Sequence, residues 1–207
     1  MSVVMTEAAQ DISLLAQTLT GDESAFTALY RRRQSAIYRF ALQMSGSVVV
    51  AEEVTQDTFM TLIHDGHRFD ASRGTLLSFL FGIARNLVLR TLERDRSNRY
   101  VALDDSPAEH AETSAIGPLD DLTRRESVAA VRRAVLSLPE TYREVVVLCD
   151  LEEVSYADAA EVLGCAIGTV RSRLHRGRAM LLEKLRIWRA PVAATQAEFG
   201  RTEACLL

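Results

Sequence analysis

Apolar residues return every three or four positions along this chain. Its two β-branched runs, Val48-Val49-Val50 and Val145-Val146-Val147, fall inside that rhythm. A strand needs a period of two, so the spacing restricts the chain to helices. With 207 residues it is long enough for one large or two small domains, and its 48% hydrophobic content suits a packed interior. The expected fold class is all-α: two small helical domains joined by a flexible acidic linker.

The first helix is expected to begin at the N-cap candidate Asp22, with Ala25 at its third position. Phe26, Leu29, Tyr30, Ile37, Phe40, Ala41 and Met44 line one face, and Gly46 ends it. Ser47 caps a second helix that runs through Ile63, with Ala51, Val54, Phe59, Leu62 and Ile63 inward. A polar loop, His64 to Gly74, leads to a third helix from about Thr75 to Arg96, which buries Leu77, Leu80, Ile83, Ala84, Leu87 and Val88. Val128, Val131, Val135 and Leu138 mark another helix. Pro139 sits in the first turn of the next, where its missing N–H does no harm, and Val145, Val146 and Leu148 form the apolar side of that helix.

The stretch from Ser155 to Arg178 is the most specific. Ser155 is an N-cap, with Asp158 three residues on. Ala159, Ala160, Val162 and Leu163 follow at helical spacing, and Gly164 stands where a left-handed cap is wanted. A second helix buries Val170, Leu174 and Leu181. This leaves Thr169, Arg171, Ser172, His175 and Arg176 on the opposite side. A capped helix, a tight turn and an arginine-rich helix make a helix-turn-helix, the reader of the DNA major groove. In such a motif arginine bonds guanine edges, and serine and threonine bond bases or phosphates. From Arg171 to Arg189 seven basic residues face a single acid, Glu183, although the whole chain carries a net charge of −4. A basic helix on an acidic protein suits weak unaided DNA binding and delivery by a partner.

From Val101 to Thr123 acids appear without lysine or arginine, and Pro107, Gly117 and Pro118 interrupt any helix. Some twenty residues at ~3.3 Å each reach about 65 Å. That spans roughly two duplex turns of ~34–36 Å, so two tethered domains can sit on separated DNA sites. Cys149, Cys165 and Cys205 lack metal-ligand spacing, and Cys149 reads as core. His64, His67, His110 and His175 form no metal set. No catalytic constellation and no cofactor motif emerge, so the chain is not expected to be an enzyme. Glu7 and Asp11 interrupt the N-terminus, and no apolar run approaches transmembrane length. A cytoplasmic location without membrane insertion is expected.

Five stretches in order resemble the extracytoplasmic-function (ECF) class of bacterial RNA polymerase sigma factors. They are Asp22-Glu-Ser-Ala-Phe-Thr-Ala-Leu-Tyr30, Ala51-Glu-Glu-Val-Thr-Gln-Asp-Thr-Phe59, Phe79-Leu-Phe-Gly-Ile-Ala-Arg-Asn86, Leu138-Pro-Glu-Thr-Tyr-Arg-Glu-Val145 and the helix-turn-helix. The resemblance spans roughly residues 20–187. It implies an N-terminal extension over 1–20, sigma domain two over 21–99, the acidic linker over 100–123, sigma domain four over 124–189 and a tail over 190–207.

The resemblance also implies roles. Glu52, Glu53, Gln56, Asp57 and Met60 would dock on core RNA polymerase, at the basic coiled coil of its β′ clamp, and domain four would meet the β flap. From composition alone, the same acidic face reads as a solubilising surface. The −10 element would engage His67, Phe69, Arg73, Arg85, Asn86 and Arg90 through a base flipped into a pocket at the loop. Phe69 would either stack on that base or plug the core. The −35 element would be read by Thr169, Arg171, Ser172, Arg173, His175 and Arg176. An anti-sigma factor is the further partner implied. Two alternatives remain: a dimeric helix-turn-helix regulator that binds a palindrome tightly unaided, and a sigma mimic that sequesters an anti-sigma factor.

Overall fold

The computed structural model describes residues 2–101 and 119–189, with side chains for 7–97 and 127–186. No strand occurs among the described residues. The expected tail, Cys205 and residues 102–118 of the expected linker lie outside them.

Helix α1 (Ser2–Leu19) occupies what the sequence suggested only as an extension. It packs along α2 (Glu23–Ser45) because its Asp11 is buried and needs partners. Arg32 Nε lies 3.1 Å from one carboxylate oxygen of Asp11, and Arg33 lies 2.5 Å from the other. A carboxylate taken out of water without such partners would cost several kcal/mol. Asp22 caps α2 as expected, accepting from the N–H of Ser24 at 2.8 Å and of Ala25 at 3.1 Å. The helix ends at Gly46, whose φ of 74° is the left-handed cap. Ser47 then caps α3 (Val48–Asp65) by accepting from Val50 N–H at 3.3 Å.

The inner face of α3 is Ala51, Val54, Thr55, Thr58, Phe59 and Leu62. Ile63, expected inward, is exposed. It sits ~100° round the helix from Leu62, beyond the buried stripe. In α4 (Leu76–Val101) the stripe is likewise rotated. Leu76, Leu80, Phe81, Ala84 and Val88 are buried, whereas Leu77, Ile83 and Leu87 are half-buried. Phe81 reaches Phe40 of α2 at 5.3 Å between ring centres, and Tyr30 stands edge-on to Phe59 at 4.8 Å. These aromatic pairs close the core of α1–α4.

Helix α5 (Leu119–Leu136) begins inside the stretch expected to be linker. Val128 and Val131 are exposed on it, and among its described side chains the buried ones are Ala134 and Val135. Pro139 is the N-cap of α6 (Glu140–Val146), which runs into a wide π-turn over Val147–Leu151. Glu153 follows with φ 55°, a left-handed conformation uncommon outside glycine. The expected N-cap Ser155 starts α7 (Tyr156–Leu163). Its hydroxyl accepts from Asp158 N–H at 3.1 Å and bonds the Asp158 carboxylate at 2.7 Å. Gly164, φ 60°, turns the chain into α8 (Ile167–Arg189). Val170 and Leu174 of α8 are buried; Leu181 is half-buried.

The two halves share one buried cluster rather than standing apart. Leu136 of α5 packs so closely over Gly46 that an added Cβ there would meet it at 3.0 Å. Arg143 of α6 donates to the carbonyls of Met44 at 2.6 Å, Leu136 at 2.5 Å and Leu138 at 3.0 Å.

Gly177 lets α8 close on α6: an added Cβ would lie 2.8 Å from Val146 Cγ2 and 3.4 Å from the Tyr142 carbonyl. Gly177→Ala gains ~1 kcal/mol of helix propensity but meets an overpacking cost of ~1–3 kcal/mol. Its urea midpoint by circular dichroism is expected to fall. Gly168→Ala meets no atom within 4 Å and is expected to hold or raise the midpoint.

Candidate nucleic-acid interface

The outer face of α8 exists because its inner face is fully used. Val170, Leu174 and Gly177 turn toward the core, so Arg171, Ser172, His175 and Arg176 point outward and are exposed. Thr169 is half-buried, and its carbonyl accepts from the Ser172 hydroxyl at 3.0 Å. Two arginines of the basic run behave differently. Arg173 is half-buried, and its charge is felt weakly by the carboxyl of Glu144 of α6. Arg178 forms a two-pronged pair with Asp150 at 2.5 and 3.0 Å, which holds its guanidinium charged more firmly than usual. The outward basic surface is therefore narrower than the arginine count suggested.

On α3 the residues Glu52, Glu53, Gln56, Asp57 and Met60 are all exposed, opposite the buried stripe. Exposed Ile63 joins Met60 one turn on, so the face is acidic with an apolar edge. The buried Thr55 and Thr58 satisfy their hydroxyls by bonding the Ala51 and Val54 carbonyls at 2.6 and 2.7 Å. They ask nothing of the outer surface.

The loop before α4 builds a concave site. A 3-10 turn, Gly66–Arg68, and an Asp70 turn bring the chain back to Thr75. Asp70 accepts from the Ser72 hydroxyl at 2.7 Å and the Ser72 N–H at 2.9 Å, which hold its carboxyl below the usual range. Thr75 starts α4, its hydroxyl accepting from Ser78 N–H at 3.1 Å. The resulting cavity is about 310 Å³. Phe69, Asp70, Arg73, Thr75, Ser78, Phe79, Gly82, Ile83 and Asn86 are among its lining residues. Phe69 rests on Phe79 at 5.7 Å between ring centres, so one ring both packs and faces the cavity. Asn86 is exposed at the rim. His67 and Arg90 are exposed but are not among the lining residues.

Two of the expected DNA-contacting arginines are already engaged. Arg73 pairs with Glu161 of α7. Arg85 Nε lies 2.8 Å from Glu144 Oε1 of α6, although the two atoms are not aligned as a hydrogen bond. Glu144 is buried, and burial raises its carboxyl pKa above the usual range against the opposing pull of Arg85. Glu161 and Val162 complete the cavity wall. The Thr75-x-x-Ser78 spacing is a cap signal that could have marked the cavity rim. No local signal in the sequence could have placed Glu161 there, or Glu144 against Arg85.

The remaining groups offer no metal site. No cluster of three or more metal-ligating side chains occurs among the described residues, and no helix there is long and apolar enough to cross a membrane. Cys149, expected in the core, is half-buried; burial raises its thiol pKa to about 11, against ionisation.

The family model "Sigma-70 region 2" matches residues 29–98, and "Sigma-70, region 4" matches 129–181. SigM of Mycobacterium tuberculosis, an ECF RNA polymerase sigma factor, is 35% identical over 179 residues, covering 84% of either chain. The chain belongs to the ECF family of RNA polymerase sigma factors. As an ECF sigma factor it is also 30% identical to SigW of Bacillus subtilis over 82% of this chain and 94% of that protein. It is 35% identical to SigE of Mycolicibacterium smegmatis over 80% of this chain, but spans only 65% of that longer relative. Among solved structures, it resembles CnrH in complex with the cytosolic domain of CnrY. The TM-score is 0.65 at 28% identity, covering 86% of this chain and 98% of that one. It also resembles the sigma factor RpoE in complex with the anti-sigma factor NepR from Bartonella quintana. There the TM-score is 0.59 at 29% identity, covering 79% of this chain and 98% of that one. The region 2 match falls within α2–α4, and the region 4 match within α5–α8.

The pairing of Arg178 with Asp150 assigns that arginine to the fold rather than to DNA. Arg178→Ala is expected to lower the thermal midpoint while leaving DNA affinity nearly unchanged. Comparing the two measurements for this variant with those for Arg176→Ala checks the assignment.

Proposed function

We propose that this sigma factor binds core RNA polymerase and directs initiation at promoters carrying matched −35 and −10 elements. The observation that carries the reading is a pair of exposed surfaces of opposite charge on the two family domains: Glu52, Glu53, Gln56 and Asp57 on α3, and Arg171, His175 and Arg176 on α8. The acidic face suits the basic coiled coil of the β′ clamp. Charge complementarity there supplies orientation and association rate more than raw affinity. Met60 and Ile63 add apolar area beside it. The region 4 domain, proposed to extend over 124–189, would lie on the β flap with α8 in the major groove of the −35 element.

At the −10 element the cavity beside Phe69 and Asn86 would receive a base drawn from the stack. Extrusion costs a few kcal/mol, offset by stacking on Phe69 and by hydrogen bonds from groups such as Asn86, Thr75 and Ser78. Arg73, Arg85 and Arg90 would hold the neighbouring phosphates, with His67 at the loop edge. The polymerase would perform the chemistry; this chain would choose where it begins, without catalysis of its own, in the cytoplasm. CnrH and RpoE were solved with CnrY and the anti-sigma factor NepR bound. A comparable anti-sigma partner here would cover the polymerase-binding faces.

Run-off transcription from a genomic library, with core polymerase in the presence and absence of this protein, tests the reading. Initiation at new, shared −35/−10 sites is the expected result. Unaided tight binding to a palindrome, with no redirected initiation, would indicate a conventional regulator instead. On a promoter so found, Arg171→Ala or Arg176→Ala is expected to weaken −35 recognition by about 1–3 kcal/mol if the side chain meets a base. Asn86→Ala should impair opening while sparing core binding. Charge reversal at Glu53 and Asp57 should reduce co-purification with core enzyme.

A further inference from the structure

Helix α1 lies outside both family matches, the first of which begins at residue 29. It carries none of the residues assigned to polymerase or DNA, yet it is firmly set. Asp11, Leu15 and Leu19 stand four residues apart, so they follow one another along one side of the helix. Asp11 fixes the helix on α2 through Arg32 and Arg33, and Glu7 reaches Arg33 at 3.8 Å. The end of α1 is tied as well. The N–H groups of Gly21 and Asp22 donate to the Thr18 and Gln17 carbonyls at 3.0 and 3.1 Å, and Gly21 takes φ 94° to turn the chain into α2. Held at its middle and at its end, α1 cannot slide along its own axis.

That fixed helix presses on Gly66, the first residue of the 3-10 turn. Gly66 is buried with φ −59°, a conformation open to any residue, so what glycine contributes there is space. The space is filled by leucines: an added Cβ would lie 3.1 Å from Leu19 Cδ2, 3.2 Å from Leu15 Cδ1 and 3.5 Å from Leu62 Cδ1. The backbone of Gly66 is thus wedged between α1 and α3. Its carbonyl accepts from the Phe69 N–H at 3.1 Å, which closes the turn. Phe69 in turn rests on Phe79 and faces the cavity. A continuous line of contact therefore runs from α1 through Gly66 to the ring at the cavity wall. The two leucines of α1 differ in what else they do. Leu15 is buried in the core, whereas Leu19, the last residue of its helix, is 40% exposed. Little of the core depends on Leu19, so its contact with the turn can be removed by itself.

We propose that α1 positions the −10 pocket: Leu19, backed by Leu15, holds the Gly66 turn where it sets the Phe69 ring for stacking on the extruded base. This rests on the assignment of the cavity beside Phe69 to the −10 element. Leu19 is a positioning residue and touches no DNA. A loop that is ordered only when the base arrives loses affinity to the entropy of its own ordering; a loop held beforehand does not.

Four forms of the full chain make the test: wild type, Leu19→Ala, the conservative Leu19→Met, and Ile12→Ala. Ile12 sits on the same helix and is exposed to the same degree, 41%, but is not among the atoms nearest Gly66. Amide hydrogen exchange at Phe69 reads the turn in the free chain, without DNA. In holoenzyme assembled with core polymerase, binding of a single-stranded oligonucleotide of the −10 sequence found by run-off reads the pocket, and binding of the −35 duplex is the internal control. Leu19→Ala is expected to speed exchange at Phe69 and to weaken −10 binding about tenfold, or ~1.4 kcal/mol. Association with core and −35 binding should stay unchanged. Leu19→Met should restore both readouts, and Ile12→Ala should match wild type. Unchanged exchange and unchanged −10 binding in Leu19→Ala would overturn the proposal. So would faster exchange without loss of −10 binding. A loss shared by the −35 duplex, or by Ile12→Ala, would mark general destabilisation and overturn it too. If wild-type holoenzyme directs no run-off, the sigma reading fails and the pocket's role fails with it. Exchange at Phe69 then still reports whether α1 holds the turn.

Discussion

Two helix ends and the connection that follows the second converge on the guanidinium of Arg143. The last carbonyls of a helix have no partner within it, and Arg143 takes up those of Met44 at the end of α2 and Leu136 at the end of α5, with Leu138 just beyond. Burial draws its pKa down from the arginine norm, yet a guanidinium stays charged in any protein interior. One cation thus satisfies acceptors that would otherwise be buried unmet. It joins the N-terminal core to the C-terminal one at the point where Leu136 covers Gly46. The placement of α6, and of Glu144 one residue on, follows from that anchor.

From this junction the charges sort into two sets. Those turned inward are matched across the domain boundary, arginine on one side and glutamate on the other. Those turned outward are unmatched: an acidic face on α3 and a basic face on α8. Unmatched surfaces are available to partners, and their opposite signs select different ones. The wide turn over Val147–Leu151 and the left-handed Glu153 supply two further matched pairs, one within the C-terminal half and one across the boundary. They aim Asp150 at Arg178 of α8 and Glu152 at Arg39 of α2, tying the reading helix to the body and the body to the other domain. Strained backbone of this kind persists only where surrounding contacts hold it.

The helices and their caps were legible in the sequence because capping is local. Asp22, Ser47, Ser155, Gly46 and Gly164 act on residues within a turn of themselves. The outer face of α8 was legible for the same reason: Val170 and Leu174 fix which side is left. The exact buried stripe was less legible. Ile63 was misjudged, and Leu77, Ile83 and Leu87 are only half-buried, because an apolar residue at the edge of a stripe is buried only if a neighbouring helix covers it. The first twenty residues read as an extension because Asp11 looks like a breaker of an apolar face until Arg32 and Arg33 are seen against it.

By itself the sequence determined the all-α class, the capped starts of α2, α3 and α7, the family and the two faces of opposite charge, all of which follow from the spacing and chemistry of near neighbours. The tertiary structure alone decided that the two domains pack together, that Arg178 pairs with Asp150, and that Arg73 and Arg85 meet Glu161 and Glu144. The last two pairs join residues far apart along the chain, 88 positions for Arg73 and Glu161 and 59 for Arg85 and Glu144. An ion pair carries no periodicity that a linear pattern could reveal. It exists only once packing has brought the two side chains within reach of each other.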